Sequence, residues 1–298
     1  MLNAMINING QILTPETAKV SVFDRGYLYG DSLYEVIRSY HGDFFLLNEH
    51  LSRLKKSAEL CQMTLGQSLS LYRDEIYRTF ERFRSLPQNK TTEAYARLIV
   101  SRGTGRIGFG LSCPTSPTLY TIIIQPIEAP SERDFKKGIH LKISDRLRND
   151  PRALDPAMKS GNYLNNLLAY LEATRESFAT PYSDALLCNA EGHLTEGTTF
   201  NLFYIRRGIV VTPPLDIGIL EGITRRHVIT LARDLGIPVR EVRFPRERLY
   251  EADEAFLTSS IKEVFPIVQV DQRKIGSGTP GALTQKLHAA YQEKIRNP

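Results

Sequence analysis

Lys159 stands one residue past Met158 and directly before Ser160-Gly161, at the entrance of the stretch AMKSGNYLNNLLAYLEA. Most lysines are solvated surface charges. One at a helix entrance, held in a pocket, has a choice of chemistry that an exposed ammonium lacks. Downstream, ILEGITRRHV puts Gly222, Ile223 and Thr224 where the free backbone N–H groups of a helix start collect beside a hydroxyl. Such a start can receive a phosphate, although on local sequence alone Thr224 reads first as the helix cap. GTGRIG at 103–108 satisfies a dinucleotide-binding pattern, but FGLSCPTSP follows where a helix would have to begin. That reading fails, and a glycine loop carrying Arg102 and Arg106 remains, either solvated or lying over an anionic ligand.

Other chemistries find little support. The six histidines do not cluster with carboxylates or thiols at ligand spacing, so no metal site is expected. No nucleophile elbow and no Walker loop is present. Cys61, Cys113 and Cys188 are odd in number and far apart, which suits reduced thiols in a cytoplasmic protein. The N-terminus has neither a basic region nor a long apolar run, and no stretch approaches the roughly 18 apolar residues of a membrane span. A net charge of +5 raises the possibility of nucleic acid. However, LYRDEIYRTFERFRS buries Ile76, Phe80 and Phe83 on one stripe and leaves its arginines on the other. In TRRHVITLARDLGIP, Gly236 is followed by strand-like IPVREVRFP rather than a recognition helix. A non-enzymatic nucleic-acid binder is therefore the distant alternative, and the basic excess suits a protein that holds anionic small molecules.

These residues need elements to position them. Asn9-Gly10 predicts a hairpin, and a second turns at His41-Gly42-Asp43. Helices over 48–63 and 67–85 precede the strands EAYARLIVSR and TLYTIIIQ. Leu164, Leu167, Leu168 and Leu171 predict a helix from Asn162 with that stripe buried. A hairpin at Arg206-Arg207-Gly208, a helix over 222–235 capped by Gly236, a turn at TSSIKE and a final helix from about 280 complete the chain. The irregular alternation is α+β. The polar, proline-containing segment 128–137 reads as a linker between a small N-terminal α/β domain, 1–127, and a larger domain, 138–298.

DRGYLYGDSLYEVIR, NEHLSRL, MKSGNYLNN, TEGTTFNLF and EGITR, in that order, resemble the class IV pyridoxal-phosphate-dependent aminotransferases. The family includes branched-chain and D-amino-acid aminotransferases and aminodeoxychorismate lyase. The resemblance implies the fold type IV architecture, with a barrel-like β core in the larger domain, pyridoxal 5'-phosphate as cofactor, and a homodimer or larger assembly. Lys159 then matches the lysine that forms the Schiff base, an amine able to attack an aldehyde and later carry a proton. Glu196 matches the carboxylate paired with the pyridine nitrogen. Arg53, Ile223, Thr224 and Ser260 match the phosphate site, Leu220 the residue against the ring face, and Tyr163 a partner for the ring hydroxyl.

For substrate, strand alternation puts Tyr95 and Arg97 on one face, and Tyr34 and Arg38 on another shared face, with Tyr29 just before. These residues could form an amino-acid pocket, with Arg106 on its glycine loop taking the distal charge of a dicarboxylate. AYAR resembles the branched-chain enzymes, DRGYLYGDSLYEV the D-amino-acid enzymes, and Ile261 replaces the small residue that branched-chain enzymes favour. The resulting expectation is a transaminase moving an amino group from an aliphatic L-amino acid to 2-oxoglutarate. A D-amino-acid aminotransferase and aminodeoxychorismate lyase are the alternatives.

Overall fold

The computed structural model describes residues 3–110, 116–175 and 183–296; Cys113 lies outside them. The chain divides into two compact units, Met1–Glu128 with Met158–Asn162, and Ala129–Ala157 with Tyr163–Pro298.

The first unit contains β1 (Met5–Ile8), β2 (Gln11–Leu13), α1 (Arg25–Tyr29), β3 (Ser32–Tyr40), β4 (Asp43–Phe44), α2 (Leu47–Leu60), α3 (Leu69–Arg84), β5 (Ala94–Ser101) and β6 (Leu119–Pro126). Its antiparallel sheet runs β2-β1-β6-β5-β3-β4. Both predicted hairpins form; Asn9 and Gly10 have φ of 48° and 89°, the left-handed pair that such a tight turn requires. Ser68 caps α3 by accepting from Leu71 N–H, and Ile76, Phe80 and Phe83 are buried as the spacing predicts. Both helices pack on the sheet face that carries Leu33, Ile37, Ala96, Leu98 and Ile122.

Residues 158–162 belong with this unit, although the sequence division at 138 assigns them to the larger one. The reason is backbone pairing: Tyr34 N–H donates to Lys159 O at 3.0 Å and Gly161 N–H to Ser32 O at 2.7 Å. A Cβ at Gly161 would stand 2.3 Å from Ser32 Oγ, so any larger residue there would have to turn that hydroxyl aside.

The second unit contains α4 (Glu132–Lys137), β7 (Ile139–Leu147), α5 (Leu164–Arg175), β8 (Asp184–Cys188), β9 (Leu194–Gly197), β10 (Asn201–Arg206), β11 (Ile209–Thr212), α6 (Ile223–Asp234), β12 (Val239–Glu241), α7 (Arg246–Tyr250), β13 (Glu254–Ser259), β14 (Glu263–Val270), β15 (Arg273–Lys274) and α8 (Ala282–Arg296). Its sheet runs β12-β11-β10-β13-β14-β7-β8-β9, and β9 also pairs with β10. That pairing closes six strands into a barrel whose core includes Leu186, Leu202, Leu257 and Ile267. Within the segment read as a linker, Ser131 and Asp134 form a capping box that starts α4. Beyond Gly236 comes strand β12, so no helix-turn-helix forms.

α5 departs from expectation. Leu164 and Leu167 are 64% and 48% exposed, and the buried residues are Asn166, Ala169 and Ala173. The helix carries two stripes, and the one made of small residues faces Ala185 and Leu187, where a leucine row would hold it off the sheet. Ala169→Leu should therefore overpack this contact and cost about 1–3 kcal/mol. Leu164→Ala should stay within about 0.5 kcal/mol. Urea unfolding of the two variants checks the order.

Candidate functional site

In the first unit, β3 and β5 bring four predicted residues to one sheet face. Tyr34, Val36 and Arg38 alternate along β3, and in register Val36 faces Arg97 while Arg38 faces Tyr95. Lys159 Nζ donates to Tyr34 Oη at 3.4 Å and lies 4.5 Å from the centre of its ring. The Arg97 guanidinium lies 4.3 Å from the same centre, so one phenol meets two cations. Burial pushes the Tyr95 hydroxyl up, against the opposing charge of Arg97, and Tyr95 accepts from Gln125. Arg38 pairs with Glu93 at 3.1 Å and covers Tyr40.

Arg53 lies on the helix side of this sheet. Its Nε and Nη2 donate to Glu35 Oε1 and Oε2 at 2.8 and 2.6 Å. His50 Nδ1 stands 2.7 Å from Glu35 Oε2. An ionised carboxylate only accepts, so this imidazole nitrogen carries its proton. Burial alone would raise Glu35, but Arg53 and His50 outweigh it and hold the carboxyl down at about 2. Burial lowers His50, aided by the charges of Arg53 and Lys159 and opposed by Glu35. One turn after Arg53, Ser57 Oγ accepts from Lys159 N–H at 3.2 Å, tying the lysine's backbone to α2. Glu35 and His50 are absent from the sequence-derived site, although His50 sits inside the NEHLSRL motif itself.

The glycine loop separates its two arginines. Arg102 bonds Asp31 at 2.8 Å and the carbonyls of Cys61 and Gln62 at 3.0 and 2.9 Å. It finishes α2 and is half-buried against the Asp31 carboxylate. Arg106 is exposed. Tyr29 Oη accepts from Gly108 N–H at 3.0 Å, and its ring meets Phe109.

In the second unit, the barrel-closing pair is Glu196 opposite Asn201, and Asn201 is in turn opposite Thr258. Directly opposed residues share a face, so these three form a polar row across β9, β10 and β13. Glu196 Oε2 accepts from Asn201 Nδ2 at 3.2 Å and from Leu220 N–H at 3.1 Å; Oε1 accepts from Arg148. Asn201 Nδ2 also reaches Leu220 O at 3.0 Å. The hydroxyl of Thr258 is buried without a hydrogen-bond partner among the described residues. Two residues beyond Leu220, α6 begins at N-cap Gly222 with no side-chain cap; Thr224 is inside the first turn and does not cap it. The amides at that start therefore lack helical partners. A Cβ on Gly222 would fall 1.9 Å from Asn201 Oδ1, so this start requires glycine. α6 packs on β13, and Ser260 and Ile261 lie in the turn after that strand. The carbonyl of Tyr163 opens α5 by accepting from Leu167 N–H. No group of three or more metal-ligating side chains occurs among the described residues.

Residues 32–270 match the family described as Amino-transferase class IV. A putative branched-chain-amino-acid aminotransferase of Methanocaldococcus jannaschii is 37% identical over 288 residues, 97% of this chain and 95% of its own. A D-alanine aminotransferase of Bacillus licheniformis is 32% identical over 287 residues, with 96% and 95% covered. Among solved structures, a T.th. branched-chain amino acid aminotransferase with pyridoxamine 5'-phosphate superimposes with a TM-score of 0.88. It is 31% identical, and the match covers 100% of this chain and 96% of that one.

The buried Glu35 cluster sets a pH dependence. Glu35 and His50 both bind protons less readily folded than unfolded, so their contribution is complete above the imidazole's ordinary 6.5. It should fall as pH drops through 6.5 and then through the carboxyl's ordinary 4.5 toward about 2. Arg53→Ala strands the Glu35 charge and should cost about 3–5 kcal/mol. Thermal unfolding between neutral and acidic pH, on both proteins, checks the slope and the loss.

Proposed function

The chain belongs to the class IV aminotransferases and is a pyridoxal-phosphate-dependent transaminase, and we propose that it moves the amino group of an aliphatic L-amino acid to 2-oxoglutarate with Lys159 as the reacting amine. The observation that carries this reading is the seat of Lys159, its backbone fixed by β3 and α2 and its Nζ against Tyr34.

The residues fit the cofactor. The uncapped amides at Ile223 and Thr224 suit a phosphate, and the unpartnered Thr258 hydroxyl lies in the same unit, two residues before Ser260. Arg53 supplies a guanidinium oriented by Glu35. When bound, pyridoxal phosphate supplies a ring that takes up the electron pair left as the substrate's Cα–H bond breaks. Lys159 Nζ would take the Cα proton, hold it beside Tyr34 Oη and pass it to C4′ of the cofactor, the carbon that receives the amino group. Glu196, surrounded by donors, stays ionised and favours a protonated ring nitrogen. Leu220, tied to both Glu196 and Asn201, supports a ring face.

Substrate choice rests on the sheet face of Tyr34, Val36, Tyr95 and Ile99, an apolar wall that suits an aliphatic side chain, with Arg97 for a carboxylate. Arg106, exposed between glycines, is the candidate for the distal carboxylate of 2-oxoglutarate. Val22, Phe23, Tyr27, Ile107 and Phe109 are exposed, which supports an assembly of at least two chains. No described helix is long and apolar enough to cross a membrane.

Three measurements test the reading. Purified protein should be yellow, and Lys159→Ala should lose both transamination and the borohydride-reducible attachment of cofactor; an adduct surviving in the variant would move the amine elsewhere. Spectral half-reaction titration should show conversion by L-leucine and not by D-alanine or D-glutamate, and conversion by the D-amino acids alone would reverse the stereochemistry. Arg106→Ala should weaken 2-oxoglutarate while sparing L-leucine, and unchanged handling of 2-oxoglutarate would remove that arginine.

A further inference from the structure

We propose that Arg148 is a positioning residue that keeps the Glu196 carboxylate ionised and aimed, and that Asn165 and Asn166 hold Arg148 in its turn. The inference rests on the reading that Glu196 meets the ring nitrogen.

Arg148 follows β7 directly, and its N–H donates to Cys188 O at 2.8 Å, which fixes its backbone at the barrel. Its Nε and Nη2 both donate to Glu196 Oε1, at 3.1 and 2.9 Å. Both side chains are almost fully buried, at 10% and 6% exposure. Nη1 reaches Asn165 Oδ1 and Asn166 Oδ1 at 3.4 and 3.3 Å. The two amides are themselves oriented. Asn165 Nδ2 donates to Leu147 O at 2.9 Å, and Asn166 Nδ2 to Thr198 O at 2.6 Å. With each nitrogen committed to a carbonyl, each oxygen must turn to the guanidinium. One asparagine thus anchors on the residue before Arg148, the other two residues after Glu196. The NN of MKSGNYLNN acquires a role that the Lys159 and Tyr163 assignments leave open.

The consequence is electrostatic. Glu196 accepts on both oxygens, from Arg148 on one and from Asn201 and Leu220 on the other. Such a carboxylate accepts and cannot donate, so a ring nitrogen meeting it must bring its own proton. Without Arg148 the same buried carboxyl loses its guanidinium partner and keeps two neutral donors, which shifts the balance toward its protonated form. A protonated Glu196 can no longer hold a proton on the ring.

The test uses the full-length, cofactor-loaded protein as Arg148→Met, Arg148→Lys, Glu196→Gln and the double variant Arg148→Met/Glu196→Gln. The rate and KM of the amino-acid half-reaction, the cofactor's absorption across pH, and the thermal midpoint are measured on each. Arg148→Met should slow the half-reaction about ten- to a hundredfold with little change in KM, the scale on which a misplaced catalytic group costs rate. It should add an ionisation to the absorption–pH curve that Arg148→Lys largely removes and the double variant lacks. Adding Arg148→Met to Glu196→Gln should change the rate less than about twofold, because two residues acting as one unit are non-additive. Multiplying rate losses in the double variant, or a lowered thermal midpoint with no new ionisation, would reduce Arg148 to a tie between strands and overturn the proposal. If Glu196→Gln alone leaves both rate and spectrum unchanged, the reading of Glu196 falls, and this proposal falls with it.

Discussion

Closing the second unit's sheet requires β9 to meet β10, and the residues at which they meet are Glu196 and Asn201. A strand end, a buried carboxylate and a barrel closure thus coincide, and each restrains the others. Asn201 reaches Glu196 and the carbonyl of Leu220, and its Oδ1 excludes any Cβ at Gly222. The start of α6 is therefore indexed to the carboxylate through a single amide side chain. Desolvating Glu196 is costly in itself; what offsets the cost is that Arg148, Asn201 and the Leu220 N–H all donate to it. The barrel cannot shift at this point without exposing a charge to an unpaired interior.

The first unit solves a parallel problem with a denser charge cluster. Glu35, Arg53 and His50 are buried on the core side of β3, while Tyr34 and Arg38 occupy its other face. One strand thus carries the ion pair that fixes α2 against the sheet and the phenol that receives Lys159. Because Ser57 lies one turn from Arg53 and bonds the lysine's backbone, the orientation of Arg53 and the placement of Lys159 share one rigid helix. A buried ion pair is weak evidence for stability and better evidence for a fixed geometry.

Local chemistry made much of this legible. Asn9-Gly10 and the Ile76–Phe80–Phe83 stripe are short-range devices, and each forms where its residues predict. Tyr34, Arg38, Tyr95 and Arg97 follow from alternation, and the register sets both pairs on the same face. What escapes is whatever depends on a distant partner. Glu35 sits at a core position between Leu33 and Ile37, and nothing nearby in the chain announces Arg53. Arg148 and Asn201 matter because of Glu196, 48 and 5 residues away. The leucines of α5 are the stronger hydrophobic stripe, yet it is Ala169 and Ala173 that pack against Ala185 and Leu187. Residues 158–162 join the first unit through hydrogen bonds to β3 that no composition boundary reveals.

The order of pairing also constrains how the chain can be finished on the ribosome. The first unit's sheet has all its strands once β6 has emerged, and the Met158–Asn162 segment arrives about thirty residues later to dock on β3. The barrel is different, because β7 pairs in parallel with β14, Ile139 against Ile267. One edge of β7 pairs with β8 soon after, but its other edge must wait for residues 263–270. A nascent chain can seat its lysine long before it can close the ring that holds its carboxylate, and a chain truncated before β14 would carry the first without the second.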